Sequence, residues 1–402
     1  MNTQHIERRY DLDWLRVLTI LAIFVFHCTR PFDSDDWLIK NATTYFGFDI
    51  WKEFAMTWGM PLILIISGSS AYFSLGKIGA GKYVQGIFAR LLLPLIIGMF
   101  SHVAFQVYLE NLNKGNFSGT FGQFYPHYFD GMYGFGGNFA WMGQHLWYLE
   151  ILFILSLLFL PMFLWMKKTR TGKRVLFHLG NFLALPGAVF LFAVPAIPLM
   201  YTLDPETWGN QSLGGWSVLI YPFIFFSGFV LISNANLQAR VLKMRWVSLG
   251  IALVLTSIYL FMEFQTHYPS LLALAHTVSD ALYCLVSWTW LFTVLGFGMK
   301  LLNKNNPFLK YANEAALPFY ILQQTVIVAV AYSVVRLPIA DWLKLLLIML
   351  ISFGLVMMLY EYVVRRTNLL RLLFGMKLLP RTSSVNTERI ASASSPGGLP
   401  PY

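Results

Sequence analysis

Two ionisable side chains, Arg16 and His27, interrupt the first apolar stretch of the chain. A guanidinium can hold an anionic group and an imidazole can carry a proton near neutral pH. The two residues are eleven positions apart, close to three helical turns, so both lie on one side of a helix. Along the helix axis they are roughly 16 Å apart, about half the thickness of a membrane's hydrocarbon core.

Arg16 and His27 also admit a purely structural explanation. Arg16 can reach lipid headgroups and pair with Asp13 on the preceding turn, and His27 can form a single hydrogen bond between helices. The shared face and the apolar spacer favour a functional pair, because ionisable groups inside membrane spans mark functional sites by default.

Other ionisable residues in apolar stretches are candidates to assist His27. His145 and Glu150 do not share a helical face, because five positions rotate by about 140°. Either can still orient His27 from a facing helix. Glu150 is the predicted partner, and a structural ion pair is its alternative role. His276 and Asp280 do share a face and can instead satisfy each other.

The elements that must position these residues follow from the composition. Hydrophobic residues make up 57% of the 402 residues and charged residues only 12%, about half the charged share of a soluble domain. This excludes an ordinary soluble enzyme and predicts an all-α polytopic membrane protein. We predict ten transmembrane helices, at residues 12–30, 54–74, 88–108, 145–166, 183–201, 216–233, 247–263, 273–298, 314–335 and 342–363.

Basic residues are unevenly distributed between the connecting segments. With a cytoplasmic N-terminus, 22 of the 29 Lys and Arg residues fall in cytoplasmic segments and 6 in outer ones. This positive-inside pattern predicts that both termini are cytoplasmic, in a multi-pass protein of the cell (inner or plasma) membrane. The positive charge is then expected to orient the chain among membrane lipids, and no nucleic-acid partner is expected.

Two regions outside the predicted spans have unusual compositions. The outer loop 115–143 has ten aromatic residues, which can present rings to a sugar or form an interfacial aromatic belt. The C-terminal end is rich in Ser, Gly and Pro. We predict a membrane-embedded domain over residues 1–365 and a basic, then disordered, cytoplasmic tail over residues 366–402.

Five sequence segments, in order along the chain, carry a resemblance to a known family. Arg16 and His27 match the R/K-x10-H motif of the acyltransferase-3 integral-membrane family, and residues 11–33 resemble its first helix throughout. The other segments are MPLILIISG (60–68), ARLLLP (89–94), HLWYL (145–149) and LPFYIL (317–322). The resemblance extends over residues 11–365 and is nearest in appearance to periplasmic-glucan succinyltransferases.

The resemblance implies an O-acyltransferase. Such an enzyme would move an acetyl or succinyl group from cytoplasmic acyl-CoA to a hydroxyl of an extracytoplasmic carbohydrate or lipid-linked acceptor. The family implies that His27 is the catalytic base and that Arg16 and Arg90 hold the CoA end of the donor. Arginine forks suit CoA phosphates. No metal cofactor is expected.

Two positions depart from the family pattern. Ile87 stands where many members have a second arginine before Arg90, and Lys82 can substitute for it. Gln323 stands where many members have histidine, and an amide can hydrogen-bond but cannot titrate.

The alternative to an acyltransferase is a proton-coupled small-molecule transporter. An acyltransferase uses acyl-CoA and makes an ester, whereas a transporter changes no covalent bond. A transporter would use a proton relay inside the membrane. Its relay would consist of His27, Glu150, His276 and Asp280.

Overall fold

The computed structural model describes residues 8–202, 216–264 and 272–380, without the side chains of Tyr201 and residues 272–277. Helices dominate these residues, and no β-strand occurs among them. The predicted all-α polytopic membrane fold is confirmed. The helices are α1 (Tyr10–Thr29), α2 (Phe46–Lys77), α3 (Ala80–Lys114), α4 (Gln144–Leu158), α5 (Leu160–Lys168), α6 (Arg170–Leu183), α7 (Ala188–Met200), α8 (Ile220–Ser233), α9 (Ala235–Glu263), α10 (Leu272–Leu301), α11 (Pro307–Val334), α12 (Asp341–Arg366) and α13 (Asn368–Leu373).

The number of membrane spans depends on how bent helices are counted. Seven of the described helices are long and apolar enough to cross a membrane, and the bent pairs α4–α5 and α6–α7 raise the count to nine if each pair is one span. Helix α8 is apolar but has only 14 residues. Every predicted span overlaps one of these helices or pairs. Ten spans and two cytoplasmic termini stay predictions, and residues 381–402 of the predicted tail lie outside the described chain.

The two bent pairs break where the sequence disfavours a helix. Pro161 is the second residue of α5 and has no backbone N–H to continue the hydrogen bonds of α4, and the axes differ by 48°. Between α6 and α7, Pro186 is followed by Gly187 in the left-handed conformation (φ 78°), and the axis turns by 118°.

Helix α1 carries both motif residues and packs against four other helices, α2, α10, α11 and α12. It runs parallel to α11. Arg16 contacts Asn313 near the start of both helices, and Phe24 packs on Phe319 further along, with ring centroids 5.4 Å apart. We therefore name the two ends of the bundle the Arg16 end and the His27 end.

Helix α2 is held against α8 by a close approach of the two backbones. A Cβ atom on Gly68 would lie 1.9 Å from the carbonyl oxygen of Phe225, and one on Gly228 would lie 2.1 Å from that of Ile65. Only glycine fits at either position, as is common where membrane helices pack closely. This contact sets the position of α2, whose Ser70 and Ser67 side chains contact α1 and α4 respectively.

Helix α3 contains two irregularities that position ionisable residues. Pro94 has no N–H for the carbonyl of Arg90, and residues Phe88–Leu92 form a wide π-turn around that arginine. Further along, the backbone breaks at Ser101 (φ −124°, ψ −99°), and His102 begins the next helical segment.

The aromatic loop between α3 and α4 folds as a cap at the His27 end. Tyr128 is fully buried and donates its hydroxyl hydrogen bond to the carbonyl of Met99. The indole N–H of Trp141 donates to the carbonyl of Tyr133. The hydroxyl of Tyr128 and the indole N–H of Trp141 are thus bonded within the protein. Because Tyr128 is buried, it can form neither a platform for a sugar nor part of an interfacial belt.

Candidate functional site

Arg16 is held in place by three neighbours. Its guanidinium donates hydrogen bonds to Asp13 Oδ1 (3.1 Å), Asn313 Oδ1 (3.0 Å) and Ser70 Oγ (3.0 Å). The ion pair with Asp13, which was the structural explanation for Arg16, is therefore formed. The side chain is half-buried, so the guanidinium is fixed and still accessible.

His27 differs from Arg16 in having an unpaired polar atom. Its Nδ1 is buried without a hydrogen-bond partner, although the ring as a whole keeps some accessible surface. Arg30, three residues on and just past the end of α1, contributes positive charge to the surroundings of His27, and that guanidinium is itself paired with Asp33 at 2.5 Å. The imidazole therefore lies deep in the bundle with hydrogen-bonding capacity to spare.

Two further histidines lie near His27. His145 contributes to the same electrostatic environment as His27, and its ring centroid is 6.4 Å from that of His102. His145 is tied to the protein, because its Nε2 lies 3.0 Å from the carbonyl oxygen of Ile321. His102 resembles His27, since its Nε2 is buried without a partner. Among the described residues, no group of three or more His, Cys, Asp and Glu could hold a metal ion.

His102 was missed by the sequence analysis. The criterion that selected His27, an ionisable residue inside an apolar stretch, also holds for His102 in the predicted span 88–108. No motif drew attention to it. Only the break at Ser101 and the packing of α3 against α11 show that the ring points into the bundle.

A series of neighbouring polar side chains leads from Arg16 toward His145, through hydrogen bonds and one aromatic contact. Ser70, which receives the Arg16 hydrogen bond, is one turn from Ser67, and Ser67 shares a 2.5 Å hydrogen bond with the hydroxyl of Tyr148. The Tyr148 ring lies 5.9 Å from that of Tyr320. Tyr320 in turn donates its hydroxyl hydrogen bond to the His145 carbonyl. We call this series the polar seam; its members are Arg16, Ser70, Ser67, Tyr148, Tyr320 and His145.

Glu150 is not hydrogen-bonded to Nδ1 of His27. Glu150 Oε2 is buried without a partner, as is that nitrogen. The role of Glu150 as the partner of His27 stays a prediction. The side chain of His276 lies outside the described part of the chain, and its pairing with Asp280 also stays a prediction.

Arg90 lies at the Arg16 end, on the exposed side of the wide turn in α3. Its carbonyl oxygen lies against the turn that follows α13, where a Cβ on Gly375 would be 2.8 Å away. The same Cβ would be 2.9 Å from Leu317 of α11. Arg16 contacts Asn313 of that helix, so both arginines border the first turns of α11.

The two ends of the bundle differ in how their basic residues are neutralised. At the His27 end, ion pairs with Asp or Glu neutralise Arg30, Lys40, Lys52, Lys114 and Lys344. At the Arg16 end, Asp or Glu likewise pairs with Arg8, Arg9, Arg365, Arg366 and Arg371. Several other exposed basic residues at this end have no carboxylate partner within the described part of the chain. These residues are Lys82, Arg90, Lys168, Arg170, Lys173 and Arg174.

The fold and the site together define a class of integral-membrane enzyme. It is a helical bundle with unpaired cations at one end, an accessible imidazole toward the other end and a polar seam between them. Over residues 9–361 the chain matches the family model Acyl_transf_3, described as an acyltransferase domain, and it belongs to this family. It is an acyltransferase that transfers groups other than amino-acyl groups. No curated protein and no solved structure matches the chain.

Proposed function

We propose that the protein is an O-acyltransferase of the cell membrane. It moves an acetyl or succinyl group from cytoplasmic acyl-CoA to a hydroxyl of an extracytoplasmic carbohydrate or lipid-linked acceptor. Family membership favours this function over a proton-coupled transporter. The proposal sets the Arg16 end in the cytoplasm, in keeping with the positive-inside pattern.

The polar seam is the observation that carries the proposal. It connects Arg16 with the histidine group through the interior of the bundle. Acyl-CoA exists on the cytoplasmic side and the acceptor on the other, so the acyl group must reach a catalytic residue within the membrane. The pantetheine arm of CoA is long and flexible, and the seam offers it hydroxyl groups along about 16 Å between Arg16 and His27.

The unpaired cations at the Arg16 end support a polyanionic donor. CoA has several phosphate groups, and guanidinium groups bind phosphate through paired hydrogen bonds. Arg90 is exposed and without a carboxylate partner among the described residues. Arg16 is already bonded to Asp13, so it would bind the donor through its remaining N–H groups. We therefore assign the phosphates first to Arg90 and the pantetheine arm to the opening lined by Arg16.

His27 supplies the base in this mechanism. The acceptor hydroxyl gives its proton to the His27 imidazole as its oxygen attacks the thioester carbonyl carbon. The tetrahedral intermediate then collapses, the carbon–sulfur bond breaks, and the proton passes from His27 to the CoA thiolate. The products are an ester on the acceptor and free CoA thiol. Glu150 remains the candidate to orient the imidazole.

The resemblance to periplasmic-glucan succinyltransferases supports succinyl-CoA as donor and a glucan as acceptor. The test compares glycans and lipids, by mass spectrometry, from cells that lack the protein and from cells complemented with it. We expect a mass increase of one acetyl or one succinyl group per modified hydroxyl in the complemented cells only.

Two outcomes would contradict the proposal. Identical glycan and lipid profiles, with no CoA thiol released by purified protein in proteoliposomes, would show that no acyl group is transferred. Cysteine labelling tests the orientation separately. Single cysteines in loop 115–143 should react from outside intact cells and cysteines in residues 167–182 only after permeabilisation, and the reverse result would place the donor site on the wrong side.

A further inference from the structure

Gln323 is a buried amide for which the structure provides no partner. Its side chain is completely inaccessible, and both Nε2 and Oε1 lack hydrogen bonds. The next residue, Gln324, is equally deep but is satisfied, because it donates to Gln106 Oε1 at 3.1 Å. A buried amide without partners destabilises a protein, so an unpaired group at this depth points to a ligand that completes it.

The packing of α1 against α11 shows what Gln323 faces. Phe24 and Phe319 touch across the two parallel helices. From Phe24 to His27 the helix turns by about −60°, and from Phe319 to Gln323 it turns by about +40°. For parallel neighbours, opposite rotations lead to the same side of the contact. His27 and Gln323 therefore lie on one side of the Phe24–Phe319 contact.

The levels of the two residues along the bundle also agree. His27 is three residues beyond Phe24, roughly 4.5 Å, and Gln323 is four residues beyond Phe319, roughly 6 Å. The same rotation argument, applied backwards from Phe24 to Arg16 and from Phe319 to Asn313, puts the Arg16–Asn313 hydrogen bond on this side too. Because Arg16 belongs to the polar seam, His27 and Gln323 lie on the side of the seam. The unpaired amide and the unpaired Nδ1 of His27 thus lie on the same side of the α1–α11 contact and at nearly the same level.

We propose that the Gln323 side-chain amide is the hydrogen-bond donor that stabilises the oxyanion of the acyl-transfer reaction. The proposal rests on the function proposed above. When the acceptor oxygen bonds to the thioester carbon, the carbonyl electron pair moves onto its oxygen, and the Nε2–H of Gln323 donates to that oxygen. His27 holds the acceptor's proton. On collapse the carbonyl re-forms, the carbon–sulfur bond breaks and CoA leaves with the proton.

An amide suits this role because it stays neutral. It donates a hydrogen bond at every working pH, and in a site without water such a donor is worth far more than in solution. His27 is then needed only as the base. The two functions of the reaction, proton removal and oxyanion stabilisation, are thus divided between α1 and α11.

The test replaces the amide by apolar groups of similar size, Gln323→Leu and Gln323→Met. The readout is CoA thiol release from acetyl-CoA and from succinyl-CoA by the full-length protein in proteoliposomes, with glucose oligomers as acceptor. We expect kcat to fall by about 10²–10³-fold with KM for the donor nearly unchanged. Gln323→His, which keeps a donor, should recover part of the loss.

Gln324→Leu is the matched control. It removes a buried amide from the same helix turn, but one that already has a partner. It should lower the thermal midpoint and change kcat by less than about tenfold. Gln323→Leu should do the opposite, leaving the thermal midpoint equal or higher, because it removes a polar group that the empty protein leaves unpaired.

Each outcome decides the proposal. Wild-type kcat in Gln323→Leu would overturn it, and so would a Leu or Met variant that loses its fold, since that would show a structural partner for the amide. If wild-type protein itself releases no CoA thiol, the proposed acyl transfer fails. If wild-type protein is active and both apolar variants are equally active, only the assignment of Gln323 fails.

Discussion

The two ends of the bundle satisfy their polar groups in opposite ways. At the His27 end, fixed carboxylates neutralise five basic residues, all but Arg336, while Nδ1 of the central imidazole has no partner. At the Arg16 end, the central guanidinium has three partners, while six exposed cations, Arg90 among them, have no carboxylate among the described residues. Under the proposed function, one end suits a soluble polyanion and the other a reacting atom.

This difference separates the attraction of the donor from the chemical step of the proposed reaction. Exposed unpaired cations raise the local concentration of an anionic donor at little energetic cost. A buried unpaired nitrogen costs about 1–3 kcal/mol of stability until a substrate completes it. In the proposed mechanism, the unpaired nitrogen of His27 lies where the reaction takes place.

The largest expected effect is at His27. His27→Ala, His27→Asn and His27→Gln should each lower acyl transfer on the order of 10²–10⁴-fold, because the amides keep a polar contact but cannot take up the hydroxyl proton. Acyl-CoA binding and membrane insertion should be retained. The measurement is CoA thiol release together with acylation of the native acceptor.

His178→Asn is the control for the His27 variants, because His178 is exposed on α6 and should not affect the rate. A merely structural His27 would lose one hydrogen bond, worth about 0.6 kcal/mol on average between membrane helices. Near-normal acylation by either amide variant would therefore assign His27 a structural role and remove the contrast between the two ends.

A smaller effect is expected at the Arg16 end. Arg90→Ala should weaken acyl-CoA binding by about 10- to 150-fold, the equivalent of one charge-assisted phosphate contact. Arg90→Lys should recover part of the affinity, because it keeps the charge but not the fork. Arg16→Ala should weaken binding to a similar extent and also lower stability, since Asp13, Asn313 and Ser70 each lose a hydrogen bond from the guanidinium. Donor affinity can be measured by calorimetry.

Arg336→Ala makes the same change of charge at the His27 end, on an exposed residue bonded to Asn113. Donor affinity should not change in this variant. Equal losses from Arg90→Ala and Arg336→Ala would show that net charge alone attracts the donor. Unchanged affinity in Arg90→Ala and Arg16→Ala would show that both arginines only anchor the chain in the membrane.

The smallest effect is expected in the polar seam between the ends. Tyr148→Phe and Ser67→Ala each remove the same 2.5 Å hydrogen bond, so each should cost about 0.6 kcal/mol, or about threefold in kcat/KM. The double variant should lose no more than either single one, because the bond can be lost only once. Additive losses would show that the two hydroxyls act separately and that the seam is not one connected path.

Most of the fold could be predicted because a membrane imposes it. Apolar stretches of about 20 residues must be helical to satisfy their backbone, and even the short predicted span 247–263 belongs to the 29-residue α9. The sequence indicated a break at Pro186, next to Gly187, but not the break at Pro161. Proline is tolerated inside α2 and α11, so proline alone does not decide where an axis turns.

The site was only partly predictable, for a different reason. Arg16 and His27 share one helix, and helical periodicity alone gives their relation. The relation of His27 to His102, His145 and Gln323 depends on how α1, α3, α4 and α11 are arranged in the bundle. A single sequence contains no distance between helices. It therefore showed Gln323 as a departure from a family pattern without showing that its amide is unpaired.

The glycine contact between α2 and α8 has a genetic consequence. Gly68 and Gly228 touch no substrate, yet a methyl group at either would collide with the opposite backbone and move α2 away from α8. Because α2 contributes two serines to the polar seam, such a shift would misalign the path of the acyl group. Loss-of-function alleles collected without bias would therefore include substitutions at these glycines, and the proteins they encode would reach the membrane with His27 and Arg90 intact.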